Sequence, residues 1–586
     1  MYSTLSDTQR KIVFEKKGKF VVRACPGSGK TYTVAARLAH LISGWKAVHQ
    51  GIAAISFTNT AWLEIQRQIN DYFQFKILYP HFLGTIDSFI NRFIFLPFGH
   101  LVMKCNSRPV LVGEPHGSWA GRNFSEKAFD KISYDINGNL YAINTRVLPS
   151  DWKSRKGIIG AKRGLIKAGY ATQADANYFS MKVLEKYPQI AKAIAHRFPM
   201  LIVDEAQDTS EIQMKIIDLL TDNGLSEVML VGDPDQAIFE WHTANPQLFN
   251  EKMEEWKENS IILNENRRSS QNICDLTFKL SSLSEPSIAV NDEVKDYEFV
   301  PEIVVYDLEH IQDPVKDFEQ LCHEHNIPCT PNNVAVLYRS KGLYCHLAGF
   351  KEISDNEHPW CDADPYCQEF AKGKYLFDNG AFKEGFNLIL RSFVKKNKGL
   401  HYCSAKAIED AIKDCGLIEF RKKILDIINL LPKTDCTIEE WVETANTKFI
   451  SEGIDLEFKI KRNKGNISFD DLFCSNNKRL VNKDLRLGTI HSVKGETFEA
   501  VLVILRKKGI GSYYKTLLKK KDSIQDNEEL RIVYVGITRP RKLLVLAVPD
   551  EENKSAWESK LGLTEKRKQE QKRRTLTTEK ATAKNG

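Results

Sequence analysis

The segment ACPGSGKT, Ala24 to Thr31, gathers the residue types needed to hold a polyphosphate. Gly27 and Gly29 let backbone N–H groups approach phosphate oxygens, with Pro26 and Ser28 in the same loop. Lys30 places a charge on the β and γ phosphates, and Thr31 offers a hydroxyl to Mg²⁺. The usual first glycine of such a loop is Ala24 here. A second constellation, LIVDEAQD from Leu201 to Asp208, ends an apolar run with two adjacent acids. Asp204 can reach the metal shell, and Glu205 can orient or deprotonate an attacking water, the division of labour used by ATPases.

Such groups need a scaffold that brings them to one place. Short apolar runs at Phe20 to Ala24, Ile52 to Phe57 and Phe82 to Ile86 alternate with helical patterns at Thr31 to Leu41 and Thr60 to Asn70. This alternation predicts a parallel sheet with crossover helices. The strand pattern breaks from about Ile90 to Phe198 and resumes at Met200 to Val203 and Val228 to Val231, as an insertion into one α/β domain would produce. A second set of strands is expected at Ile303 to Tyr306, Val334 to Tyr338, Leu487 to Ile490, Val501 to Leu505 and Leu543 to Ala547. Residues between Ser340 and Val481 form a second, helical interruption. The fold class is therefore α/β, with two parallel-sheet domains each interrupted by a mostly helical insertion. The predicted boundaries are 1–89 and 198–260 for the first domain around insertion 90–197, then 261–340 and 481–563 for the second around insertion 341–480, and a basic tail at 564–586.

A chain of 586 residues exceeds what one core organises, consistent with three or four domains of roughly 100–200 residues. With 42% apolar and 27% charged residues it has the composition of a globular protein, and no apolar run approaches the ~20 residues that span a bilayer. Met1 to Gly18 lacks an apolar signal core, and the twelve cysteines are scattered without CxxC pairs, so a cytoplasmic protein with reduced thiols and no membrane partner is expected. Cys322, His323, His325 and Cys329 fit no standard zinc spacing and read as a polar loop. The net charge is +7, but the segment from Glu565 to Gly586 holds eight Lys/Arg against three Glu, so the body is nearly neutral. Bulk charge does not identify a nucleic-acid binder.

Motif order does. The chain resembles the UvrD/Rep/PcrA group of superfamily 1 DNA helicases through a string of segments in that family's order. LSDTQR carries Gln9 as the adenine-reading residue, FTNTAWLEIQRQI from Phe57 is similar to motif Ia, and GTIDSF from Gly84 to motif Ib. VGDPDQAIFEWHTA from Val231 is similar to motif III, with Gln236 as γ-phosphate sensor. LNENRRSSQNI from Leu263, GTIHSVKGETFEAV from Gly488 and ELRIVYVGITRPRKLL from Glu529 are similar to motifs IV, V and VI. The resemblance implies RecA-like domains 1A and 2A with insertions 1B and 2B, ATP in the cleft between 1A and 2A, and Arg268 and Arg539 as arginine fingers. A guanidinium from the opposing domain stabilises transition-state charge only when the cleft closes.

The match departs from the family at particular positions. The Arg that usually follows the Walker threonine is Tyr32, and the Tyr that usually precedes the motif IV finger is Arg267, which suggests an adenine sandwich with its sides exchanged. Motif V reads Lys494, Gly495, Glu496, Thr497 in place of KGLE, which moves the ribose-contacting glutamate to Glu496. The WRGA of motif III is Trp241, His242, Thr243, Ala244. Phe57, Phe239 and Trp241 stand at family positions that face the nucleic-acid strand, and Asn59, Thr85 and His491 could hold its phosphates. The resemblance implies a 3′ to 5′ translocase or helicase on single-stranded or partly duplex DNA. The divergent motifs and compact length also resemble the helicase-like subunits of Gabija antiviral systems, which would make the chain a regulatory ATPase with an OLD-family nuclease as partner.

Overall fold

A computed structural model describes residues 2–74, 76–113, 116, 132–142, 155–238, 245–339, 341–347, 358–361, 364, 366–399, 403, 405–462, 464–473, 485–506, 517–518 and 524–563. Two parallel sheets organise it. The first contains β1 (Lys19–Ala24), β2 (Ile52–Ser56), β3 (Phe82–Thr85), β4 (Met200–Asp204), β5 (Glu227–Gly232) and β6 (Ile261–Leu263), in the spatial order β6-β1-β5-β4-β2-β3. The second contains β7 (Glu302–Val305), β8 (Val334–Tyr338), β9 (Arg486–Thr489), β10 (Phe498–Ile504) and β11 (Pro540–Val548), ordered β7-β11-β10-β8-β9.

Helices on both faces bury these strands on both sides, which is why β2 and β8 are unbroken apolar or small-residue runs buried at every position. The fold class read from the sequence is the observed one. Because every pairing within the two sheets is parallel, the carboxyl ends of the strands collect along one edge of each sheet. Ligands in open α/β sheets sit at that edge.

The segment between β3 and β4 contains helices Arg155–Lys167, Gln173–Lys186 and Pro188–Arg197. The last two place Met181, Leu184, Ile190 and Ile194 in the same core as Ala53, Phe82 and Leu201, so this part of the expected insertion packs with the first sheet. Inside the segment, fully buried Lys162 pairs with fully buried Asp175 at 3.0 Å and also donates to the Ile132 carbonyl at 2.6 Å. A buried charge of this kind persists only when paired and hydrogen-bonded.

Between β8 and β9 a helical body has its own core, formed by Phe370, Ile424, Trp441, Phe449 and Phe458. Helices Cys367–Asp378 and Phe382–Lys398 touch backbone to backbone there: a Cβ on Gly385 would lie 2.5 Å from the Gly373 carbonyl oxygen. No helix among the described residues is long and apolar enough to cross a membrane.

Candidate nucleotide site and nucleic-acid interface

The phosphate loop begins where β1 ends. Cys25 N–H donates to the Leu263 carbonyl at 3.0 Å, holding the loop against β6, and Pro26 and Ser28 are buried beneath it. Gly27 and Gly29 have φ of 73° and 76°, the left-handed region that glycine occupies without strain. Gly27 is fixed by space as well, since a Cβ there would lie 2.6 Å from Asn266 Oδ1 and 2.7 Å from Arg268 Cβ. Lys30 and Thr31 then open α1 (Lys30–Ser43), so the loop amides and the positive helix end face one point.

β4 delivers the acids. Asp204 is buried, its Oδ1 accepts from Glu205 N–H at 3.0 Å, and its Oδ2 is buried with no hydrogen-bond partner. Glu205 adopts φ 54°, rare for a residue with a side chain, and its carboxylate accepts from Gln207 Nε2 at 2.5 Å. Burial and the neighbouring Glu205 carboxylate push Asp204 up. Burial also disfavours the Glu205 anion, but Lys30, Lys494 and the Gln207 hydrogen bond outweigh it and hold Glu205 low.

The orphaned Asp204 oxygen, close enough to Lys30 to feel its charge, suits an added divalent cation. The glycine cradle and Lys30 suit a polyphosphate. The residues present thus fit ATP with Mg²⁺.

The second sheet closes the site from the other side. Arg539, fully buried, donates to Gln236 Oε1 at 2.8 Å and to the Val535 carbonyl at 2.8 Å, and Gln236 in turn donates to Asp233 Oδ2 at 2.6 Å. Burial lowers Arg539 to about 10, with Glu205 and Asp233 acting against it, so it stays charged at neutral pH. Arg268 donates to the Thr538 carbonyl at 2.9 Å. Burial and the nearby Arg539 lower it well below the usual range, and among the described residues no carboxylate forms an ion pair with it. Arg268, with no carboxylate paired to it, is arranged for a ligand that brings negative charge into the cleft.

On the adenine side, Gln9 Nε2 donates to the Ser28 carbonyl (3.3 Å) and Thr33 Oγ1 (3.1 Å), and Arg267 Nη2 donates to Gln9 Oε1 at 3.2 Å. Arg267 also lies 3.7 Å from Glu265. Tyr32 sits on the first turn of α1, but its ring stacks on Phe73 at 6.0 Å and its hydroxyl meets Thr4 Oγ1 at 2.8 Å. Gln9 and Arg267 are therefore brought together, with Tyr32 packed into the neighbouring apolar cluster. Glu496 accepts from Arg486 at 3.4 Å and is half exposed.

Of the nucleic-acid candidates, Phe57 is half-buried and Asn59 exposed just beyond β2. Thr85 ends β3 and caps the next helix through Ser88 N–H at 3.1 Å. His491 lies in the matching turn after β9, where Thr489 caps through Ser492 N–H at 3.2 Å. The two turns, GTIDS and GTIHS, share a sequence string, and each follows the outer strand of its sheet with the threonine capping in the same way. Phe239 and Trp241 lie outside the described residues, as do His242, Thr243, Ala244 and the 564–586 tail.

Comparison with known families gives a consistent result. The UvrD/REP helicase N-terminal domain matches residues 5–132 and 158–257, and the UvrD-like helicase C-terminal domain matches residues 467–551, together more than half of the chain. The chain belongs to the UvrD/Rep helicase family. DNA helicase II of Haemophilus influenzae is 28% identical over 305 residues, covering 49% of this chain and 41% of that protein. The exonuclease/helicase protein RexA of Streptococcus pneumoniae is 39% identical over 109 residues, 18% of this chain and 9% of that protein. The putative ATP-dependent DNA helicase YjcD of Bacillus subtilis is 22% identical over 619 aligned positions, 93% of this chain and 79% of that protein. The chain thus spans less than half the length of the first two relatives.

Several residues that join the halves of this helicase-family chain are not singled out by sequence reading. Lys494 donates to Asp208 Oδ2 at 2.6 Å, an ion pair between motif V and the LIVDEAQD segment. Asp235 accepts from Ser281 Oγ at 2.7 Å, from Ser282 N–H at 2.8 Å and from Ser282 Oγ, and lies 3.7 Å from Arg23. Arg531, fully buried, donates to the Ala237 carbonyl at 2.6 Å and the Ile524 carbonyl at 3.0 Å. Each belongs to a motif segment, but only the fold shows which partner it meets.

Proposed function

We propose that the chain is an ATP-hydrolysing motor that moves along single-stranded DNA from 3′ to 5′ and separates duplex ahead of it. The observation that supports this most is the convergence of groups from both sheets. Lys30, Thr31, Asp204, Glu205 and Gln236 come from the first, and Arg268 and Arg539 approach the same cleft on the second. In this reading 1–89 with 198–260 form one motor half, joined by the strand Ile261–Leu263, which the predicted boundary gave to the second half but which pairs with β1; the rest of 261–340 with 481–563 forms the other, with 90–197 and 341–480 as insertions.

Lys30 and the loop amides bind the phosphates, and Gln9 with Arg267 borders the adenine. Thr31 and Asp204 would hold the magnesium ion, which supplies charge neutralisation at the phosphates when bound. Glu205 accepts the proton of the water whose oxygen bonds to the γ phosphorus as the β–γ bridging bond breaks, and ADP leaves with the bond electrons. Arg268 and Arg539 stabilise the charge that develops on the transferred group, and Gln236 connects Arg539 to Asp233 so that cleft closure and hydrolysis are linked.

Phe57, Phe239 and Trp241 would stack bases, and Thr85 and His491 hold phosphates. The test is strand displacement by the full chain with ATP and magnesium on duplexes carrying a 3′ or a 5′ single-stranded overhang. Unwinding from the 3′ overhang alone is expected. Preference for the 5′ overhang overturns the polarity, and ATP turnover indifferent to every DNA substrate overturns the motor.

A further inference from the structure

The helix after β2, Asn59–Gln68, continues through Ile69–Phe73 and buries Ile65, Ile69 and Phe73. Its outer surface divides into two stripes. One is charged and self-neutralising, with Arg67 donating to Glu64 at 2.9 and 2.7 Å across one turn. The other carries no charge: Asn59, Leu63, Gln66 and Asn70 recur at helical spacing, Gln66 Nε2 donates to Asn70 Oδ1 at 3.3 Å along it, and Trp62 stands at its border with the buried face. Asn59 and Asn70 are exposed, Leu63 is 51% exposed, and Trp62 is half-buried with no aromatic neighbour among the described residues.

The indole N–H of Trp62 donates to Asn59 Oδ1 at 3.0 Å. That bond satisfies the polar edge of the ring and fixes its direction, and it occupies the Asn59 oxygen. A tryptophan held this way beside uncharged amides offers a π surface with hydrogen-bonding groups next to it, the combination that unpaired bases use: stacking on the ring and bonds to base edges.

Position favours the same occupant. Ser56 at the end of β2 pairs with Thr85 at the end of β3, and Thr58 and Thr85 both cap helices that start at this edge. Trp62 therefore stands about one turn beyond the Thr58 cap, on a helix that starts at the same sheet edge as the turn carrying Thr85. One tryptophan and one leucine are too few for a protein partner, since a stable protein interface buries roughly 800 Å² on each side.

We propose that Trp62, oriented by Asn59 and flanked by Gln66 and Asn70, is a stacking platform for an unpaired base of single-stranded DNA. The proposal rests on the DNA-motor reading above. It adds a contact to that reading and makes Asn59 a positioning residue for the ring.

The test uses the full chain as wild type, Trp62→Ala and Trp62→Phe, binding a labelled oligothymidylate about 20 nucleotides long, followed by fluorescence anisotropy over a salt series. Trp62→Ala should weaken binding roughly five- to hundred-fold, Trp62→Phe should keep most of it, and the slope of log affinity against log salt should be the same in all three because no phosphate contact is lost. Equal affinity in wild type and Trp62→Ala overturns the platform. A shallower salt slope in Trp62→Ala, or equal loss in the Phe and Ala variants, also overturns it, since neither follows from stacking. Failure of the wild type to bind the oligonucleotide at all would instead overturn the DNA-motor reading beneath it.

Discussion

Lys494→Ala removes the ion pair that joins motif V to the LIVDEAQD segment across the cleft. Asp208 is 1% exposed, and its Oδ1 has no hydrogen-bond partner, so the carboxylate depends on Lys494 at 2.6 Å and a weaker contact from Gln207 at 3.4 Å. Burial pushes Asp208 up to about 6 even with Lys494 in place, a sign of how little else compensates its charge. Removing one partner of a buried pair costs ~3–5 kcal/mol. Lys494 is 12% exposed and water can reach its end of the pair, so about 2–3 kcal/mol is the better figure. Because the partners belong to different sheets, the loss falls on the closed arrangement of the cleft more than on either half. A fall of that size lowers the closed population by roughly 30- to 150-fold where closure is finely balanced, and raises the apparent KM for ATP by about tenfold or more.

Steady-state ATP turnover by wild type, Lys494→Ala, Asp208→Asn and the double variant forms a cycle. The double variant should recover part of the loss because it no longer buries a lone charge. A KM within about twofold of wild type in Lys494→Ala, with an unchanged melting temperature, would refute the assignment of this pair to closure.

Other substitutions separate the roles within the site. Lys30→Ala should weaken nucleotide binding, whereas Glu205→Gln should bind nucleotide and fail to turn it over; substantial turnover by Glu205→Gln, measured as phosphate release, contradicts its role as water activator. Arg539→Ala should lower kcat by ~10³-fold or more with nucleotide still bound, and a change confined to KM in that variant argues against a transition-state role. Arg267→Ala should raise the KM for ATP several-fold with a smaller effect on kcat. Tyr32→Ala should do the same and also lower the melting temperature, because the ring packs on Phe73; lowered kcat with unchanged KM in both variants excludes the exchanged sandwich.

Most strands were legible because strands buried on both faces are continuous apolar runs, and the predicted β2 and β8 lie within a residue or so of the observed elements; the three-residue edge strand Ile261–Leu263 was too short to stand out. The phosphate loop and the Asp204–Glu205 turn were legible for a related reason: their chemistry is local, so spacing alone carries it. Contacts between distant segments were not. Lys494 and Asp208 are 286 positions apart, and nothing in either segment names the other. Helices Gln173–Lys186 and Pro188–Arg197 follow a long irregular stretch and look like its continuation, although their apolar faces complete the core of the first sheet. Trp62 passes for a core residue in sequence, because it stands three and seven residues before Ile65 and Ile69, and only the fold shows that those two are buried while Trp62 stays partly exposed.

The claim that unites these observations is that ATP hydrolysis in the cleft is coupled to single-stranded DNA on the surface above it. It is tested most directly by ATP turnover of the wild-type chain with magnesium, measured with and without saturating single-stranded DNA, with Glu205→Gln as the reference for background. Strong stimulation by DNA in the wild type and none in Glu205→Gln is the expected result. Turnover by the wild type at the same rate with and without DNA would contradict the account.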